Sequence, residues 1–126
     1  MENAVKNMKD LFRLDDKIIM ITGALGLIGK EVSCAVAESG GDLVLVDKYE
    51  DAKFVKTIIN NFGSRVLSIK EDITDEKSVT KIVDQSIAQF GSIDVLIHCA
   101  AIDAKFDSNI TGKAHSFYHN FPLDDL

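Results

Sequence analysis

The chain alternates short, continuous apolar runs with longer amphipathic stretches. Lys17 to Thr22 (KIIMIT), Asp42 to Val46 (DLVLV), Arg65 to Ile69 (RVLSI) and Ile93 to His98 (IDVLIH) are the short runs. Unbroken apolar character over so few residues predicts strands buried on both faces. Between them, apolar residues recur at helical spacing: Ile28, Val32, Ala35 and Val36; then Val55, Ile58, Ile59 and Phe62; then Val79, Ile82, Val83, Ile87 and Phe90. Glycines close these stretches at Gly40-Gly41, Gly63 and Gly91. The resulting order is β-α-β-α-β-α-β. It predicts an α/β fold, a doubly wound parallel sheet, incomplete, with four strands in the order 3-2-1-4.

This pattern divides the chain into three parts. Residues 1–13 are expected to be a flexible lead, and 14–101 the repeating α/β unit. Residues 102–126 are polar and without steady period, contain Gly112 and Pro122, and read as a long loop.

Composition narrows the classes. With 126 residues, 46% hydrophobic and 27% charged, the chain suits one soluble globular domain and neither a disordered segment nor a disulfide scaffold. A formal charge of −6 repels phosphate backbones, so no nucleic-acid partner is expected. One bound dinucleotide stays compatible, because helix ends and backbone amides hold phosphates locally. The two cysteines, Cys34 and Cys99, form no CxxC pair and read as reduced, mostly buried thiols. No run has signal-peptide character or bilayer-spanning length, so the expectation is a cytoplasmic protein without membrane contact. Asn109-Ile110-Thr111 matches a glycosylation sequon and, without a secretory route, is read as chance.

The chemistry begins directly after the first strand, at Thr22-Gly23-Ala24-Leu25-Gly26-Leu27-Ile28-Gly29. Gly23 permits a tight turn, Gly26 lets backbone approach a pyrophosphate, and Gly29 lets helix and strand pack closely. The N–H groups at the start of the helix, around Leu27 and Ile28, face the phosphates. A P-loop would need glycine at Ala24 and a hydroxyl residue at Glu31, and fails at both. Asp47 ends the second strand 18 residues beyond Gly29, where an acid can accept hydrogen bonds from the adenosine ribose. It would repel a 2′-phosphate, so NAD is expected over NADP, with Lys48 as the residue that could offset the repulsion. Together these features define a Rossmann-type dinucleotide-binding unit.

The same residues resemble the short-chain dehydrogenase/reductase family, and the likeness extends over nearly the whole chain from Leu14. It takes in Asp72-Ile73 after the third strand, where the family places a carboxylate and an apolar residue around adenine. It also takes in Phe90 to Ile97 (FGSIDVLI), similar to the family's run into the fourth strand. His98-Cys99-Ala100-Ala101 stands where the family has Asn-Asn-Ala-Gly, and only Ala100 matches. The resemblance implies cofactor contacts at Gly23, Gly26, Leu27, Ile28, Gly29, Asp47, Asp72, Ile73, Ala100 and Ala101. The glycine spacing and His98 to Ala101 are similar to the extended branch, which acts mainly on nucleotide sugars. The longer stretch from Asp72 to Asp94 is similar to the classical branch and carries more weight.

The family's chemistry uses a tyrosine and a lysine one helical turn apart, with a serine nearby. Tyr49 and Lys53 have that spacing but follow the second strand, at the adenosine end, and so are a decoy. Tyr118 has Pro122 four residues on and fails too. No catalytic residue is assigned. His115 and His119 have metal-like spacing without a third ligand, and no metal site is expected. The resemblance thus implies a nicotinamide-dependent oxidoreductase of a small alcohol, sugar or ketone, of which this chain is the cofactor-binding half. The chain is expected to be a truncated product or one half of something completed elsewhere. Its fourth strand is expected to be an exposed edge open to self-association. The alternatives are an extended-type nucleotide-sugar epimerase or dehydratase, and a non-catalytic dinucleotide-binding module.

Overall fold

The structure, a computed structural model, describes residues 7–101. The expected loop at 102–126, with Asn109, His115, Tyr118 and His119, lies outside the described residues. After a short 3-10 turn at Met8–Phe12 come β1 (Ile18–Thr22), α1 (Leu27–Glu38), β2 (Asp42–Asp47), α2 (Ala52–Phe62), β3 (Val66–Lys70), α3 (Glu76–Phe90) and β4 (Val95–His98). The four strands form one sheet in the order β3-β2-β1-β4, and every pairing is parallel. The expected α/β class and strand order both hold.

Alternation along the strands divides the core into two layers. Ile19, Ile21, Leu43 and Leu45 pack with Val36 and Ala37 of α1 and Ile58 of α2. Ile18, Met20, Val44, Val46 and Ile69 point the other way and pack with Ile82 of α3. The register β1–β2 runs from Ile18 opposite Asp42 to Thr22 opposite Val46, so the two strands end together beside the glycine turn.

Three details depart from the sequence pattern. The fourth strand begins at Val95 rather than Ile93: the Asp94 carboxylate accepts the Ile18 N–H at 2.8 Å, a side-chain bond where a ladder bond would otherwise start. The inward face of α1 is Gly29, Ser33, Val36 and Ala37, while Ile28 is 70% exposed. Cys34 and Cys99 are half-buried free thiols, less enclosed than their apolar neighbours suggested.

The helix ends differ in a way that matters for the site. Asp51 caps α2 by accepting the Phe54 N–H at 2.9 Å, and Asp75 caps α3 by accepting the Ser78 N–H at 3.0 Å. Gly63 and Gly91 close those helices in the left-handed region, with φ of 73° and 83°. Helix α1 starts instead at Gly26, with no side-chain cap. Among the described residues, no helix is long and apolar enough to cross a membrane, and no cluster of metal-ligating side chains occurs.

Candidate functional site

The carboxyl ends of all four strands converge on one groove of about 760 Å³, built around the glycine turn. Gly23 takes φ of 64°, and a Cβ there would lie 2.5 Å from the Ala100 nitrogen. A Cβ on Gly29 would lie 2.0 Å from the Gly23 carbonyl oxygen. The protein's own packing therefore demands glycine at both positions. Gly26 is different: it has ordinary backbone geometry, and its nearest neighbour to a built Cβ is the Gly23 oxygen at 3.4 Å. Nothing inside the protein needs that space. A bare backbone beside a groove, at the uncapped start of a helix, suits the approach of a phosphate.

Of the residues singled out from sequence, Gly23, Gly26, Asp47, Asp72, Ile73, Ala100 and Ala101 line the groove. Leu27 and Ile28 lie outside its lining, 90% and 70% exposed on the first turn of α1. Gly29 is buried behind the turn, where it seats the helix on Gly23 and Ala24. Sequence reasoning missed Leu25, Val46, Glu71 and Thr74, which complete the lining together with Lys48, Tyr49 and Cys99, residues it had named in other connections. Each flanks a strand end, so the rule that ligands sit beyond the carboxyl edge of a parallel sheet could have found them.

Polar bonds knit the groove wall. The Asp47 carboxylate accepts the Leu25 N–H at 3.0 Å through one oxygen and the Tyr49 N–H at 3.2 Å through the other. The Val46 carbonyl accepts the Ala24 N–H at 3.2 Å. Beyond β3, the Thr74 N–H and hydroxyl hold the Asp72 carboxyl below the usual carboxylate range, helped by Lys48 at 3.5 Å. Lys81 and the Ser78 hydroxyl do the same for Glu71. On β4, the Cys99 N–H donates to the Thr22 carbonyl at 2.9 Å, and the Thr22 hydroxyl meets His98 Nδ1 at 3.1 Å. The groove thus has an acidic end at Asp47, Glu71 and Asp72 and an amide-rich end at the turn.

Two tempting side chains are accounted for. Lys30, which a P-loop would aim at phosphate, pairs with Asp51 at 2.7 Å and lies over the Phe54 ring, 5.0 Å from its centre. Tyr49 stands at the groove rim, 73% exposed, directly after β2, and Lys53 lies exposed on α2.

A parallel sheet in this order, with a glycine turn feeding an uncapped helix and an acid at the end of the next strand, defines a dinucleotide-binding α/β unit. Comparison with known proteins gives the family. The short chain dehydrogenase model matches residues 17–119. Over 87 residues the chain is 37% identical to cis-4-hydroxycyclohexanecarboxylate dehydrogenase of Sinomonas cyclohexanicum, covering 69% of this chain and 35% of that protein. Over 91 residues it is 35% identical to the NAD-dependent glycerol dehydrogenase of Listeria innocua, covering 72% of this chain and 35% of the relative. The fold matches L-sorbose reductase from Gluconobacter frateurii, solved with NADPH and L-sorbose, with a TM-score of 0.72 at 24% identity, over 81% of this chain and 40% of that one. The chain belongs to the short-chain dehydrogenase family. It spans about 35% of the length of the curated relatives it matches.

Proposed function

We propose that this chain is the nicotinamide-cofactor-binding part of an oxidoreductase acting on a small alcohol, sugar or ketone. The observation that carries the reading is the uncapped start of α1 behind Gly26, opening onto a groove whose far end holds Asp47. Backbone N–H groups of the turn would take the pyrophosphate, with Leu27 and Ile28 flanking it on the first helical turn. Asp47 would accept the adenosine ribose hydroxyls. Asp72, Ile73, Ala100 and Ala101 would border the adenine. When bound, the nicotinamide would give or take hydride. This chain's residues would hold the pyrophosphate and adenosine end of the cofactor, and none of them is assigned a proton-transfer role.

NAD is the cofactor this arrangement favours. Three carboxylates line the adenosine end, and Lys48, the cation in the groove lining, is paired with Asp72. The listerial relative named above is NAD-dependent. Titration of the purified chain with NADH and with NADPH, followed by nicotinamide fluorescence, tests this: saturable binding with NADH the tighter ligand is expected, and no binding of either sinks the reading. The chain by itself should show no turnover with alcohols or ketones. We further propose a cytoplasmic protein whose β4 edge is open to self-association. The extended-branch alternative, acting on a nucleotide sugar, is favoured by two features, the Gly23, Gly26, Gly29 spacing and the stretch His98 to Ala101. Binding of UDP-glucose competitive with no dinucleotide would support that alternative's separate sugar-nucleotide site.

A further inference from the structure

The Asp47 carboxylate is committed before any ligand arrives. One oxygen holds the Leu25 N–H at 3.0 Å, and the other holds the Tyr49 N–H at 3.2 Å. These amides belong to two different loops, the glycine turn and the β2–α2 loop, and both residues line the groove. The preceding residue adds a third tie, because the Val46 carbonyl holds the Ala24 N–H at 3.2 Å. The turn needs such ties. Gly23 and Gly26 give its backbone wide freedom, and no side chain caps the helix that follows.

We propose that Asp47 is a positioning residue as well as a ribose contact: its carboxylate clamps the glycine turn and the β2–α2 loop in the geometry that receives a dinucleotide. The proposal rests on the cofactor-binding reading and gives Asp47 a second role there. The two roles are compatible, since each carboxylate oxygen has a second lone pair for a ribose hydroxyl. Asparagine cannot replace it. Its amide nitrogen is a donor and would face one of the two N–H groups without bonding it.

The test uses the 126-residue chain, unsubstituted and as Asp47→Ala and Asp47→Asn. Amide exchange of Leu25 is read by NMR, with Ile21 in the buried β1 as the internal reference. Binding of NAD and of its 2′,3′-dideoxyadenosine analogue is measured alongside. Loss of a bond to a charged acceptor should speed Leu25 exchange roughly tenfold to a hundredfold in Asp47→Ala, with Ile21 unchanged. The analogue, which lacks the ribose hydroxyls, should also bind Asp47→Ala about tenfold more weakly than the parent. Unchanged Leu25 exchange in both variants overturns the clamp, as does equal binding of the analogue to parent and Asp47→Ala. Should Ile21 exchange rise too in Asp47→Ala, the near-isosteric Asp47→Asn decides, with faster Leu25 exchange at constant Ile21 supporting the clamp. A parent chain that binds neither dinucleotide overturns the cofactor-binding reading, while the exchange data still decide the clamp.

Discussion

Strands β1 and β4 are spelled in nearly the same alphabet, IIMIT and VLIH, yet their surroundings differ sharply. Every residue of β1 is buried, whereas Val95 and Leu96 of β4 are 40% and 51% exposed. β1 lies between two strands and under helices on both faces. Among the described residues β4 pairs with β1 alone. The neighbouring α3 shows the same openness: Val79, Val83 and Ile87, one helical turn apart, are each about 40% exposed. An apolar run therefore announces a strand, but its burial is decided by what the fold places beside it.

The sharpest way to break the well-packed side is at its tightest contact. Gly29→Ala would drive a Cβ into the Gly23 carbonyl, so we expect a loss of about 3 kcal/mol and loss of NADH binding, checked by urea unfolding and fluorescence titration. Next comes a direct contrast between the two strands. Ile21→Ala should cost about 2–5 kcal/mol as a core truncation, while Leu96→Ala should cost under about 1 kcal/mol. Equal costs in denaturant melts would show that β4 is as enclosed as β1.

A gentler perturbation is acid. Lys30 and the Phe54 N–H hold the Asp51 carboxyl below its ordinary value of about 3.9. A folded-state value below the unfolded one means stability that is full above the unfolded value and lost as pH falls through the folded one. The melting temperature should thus fall below about pH 4, and Asp51→Asn should flatten that acid limb. An unaltered limb in Asp51→Asn would remove Asp51 from the account. A comparably small effect is expected at Gly91, where φ is 83° but a built Cβ meets nothing within 4 Å. Gly91→Ala should cost only about 1 kcal/mol, from backbone conformation alone, and a thermal melt measures it.

The strands were readable because each apolar run is short and bounded, and the glycine turn because it falls where a strand gives way to a helix. The face of α1 was not. Apolar spacing pointed Ile28 inward, but the close seat of Gly29 on Gly23 and Ala24 sets the helix's rotation, and Ser33 lies inside instead. Serine hides from a hydrophobicity pattern, and it is tolerated there because its hydroxyl returns to the Gly29 carbonyl at 2.7 Å. In the groove, the motif residues were legible and their neighbours were not. The bond from Leu25 to Asp47 joins residues 22 apart and exists only once the ends of β1 and β2 are brought level. Asp47 could be chosen as an acid at the right distance, but its grip on two amides is a product of the folded register.

The contact between Gly23 and Ala100 has a mechanical meaning. Main chain bears on main chain there, with no side chain as a cushion, since a Cβ on Gly23 would stand 2.5 Å from the Ala100 nitrogen. The exit of β4 acts as a stop against which the turn rests, and neither can slide without displacing the other. A strand that, among the described residues, is open along one edge thus ends in direct contact with the loop at the floor of the groove.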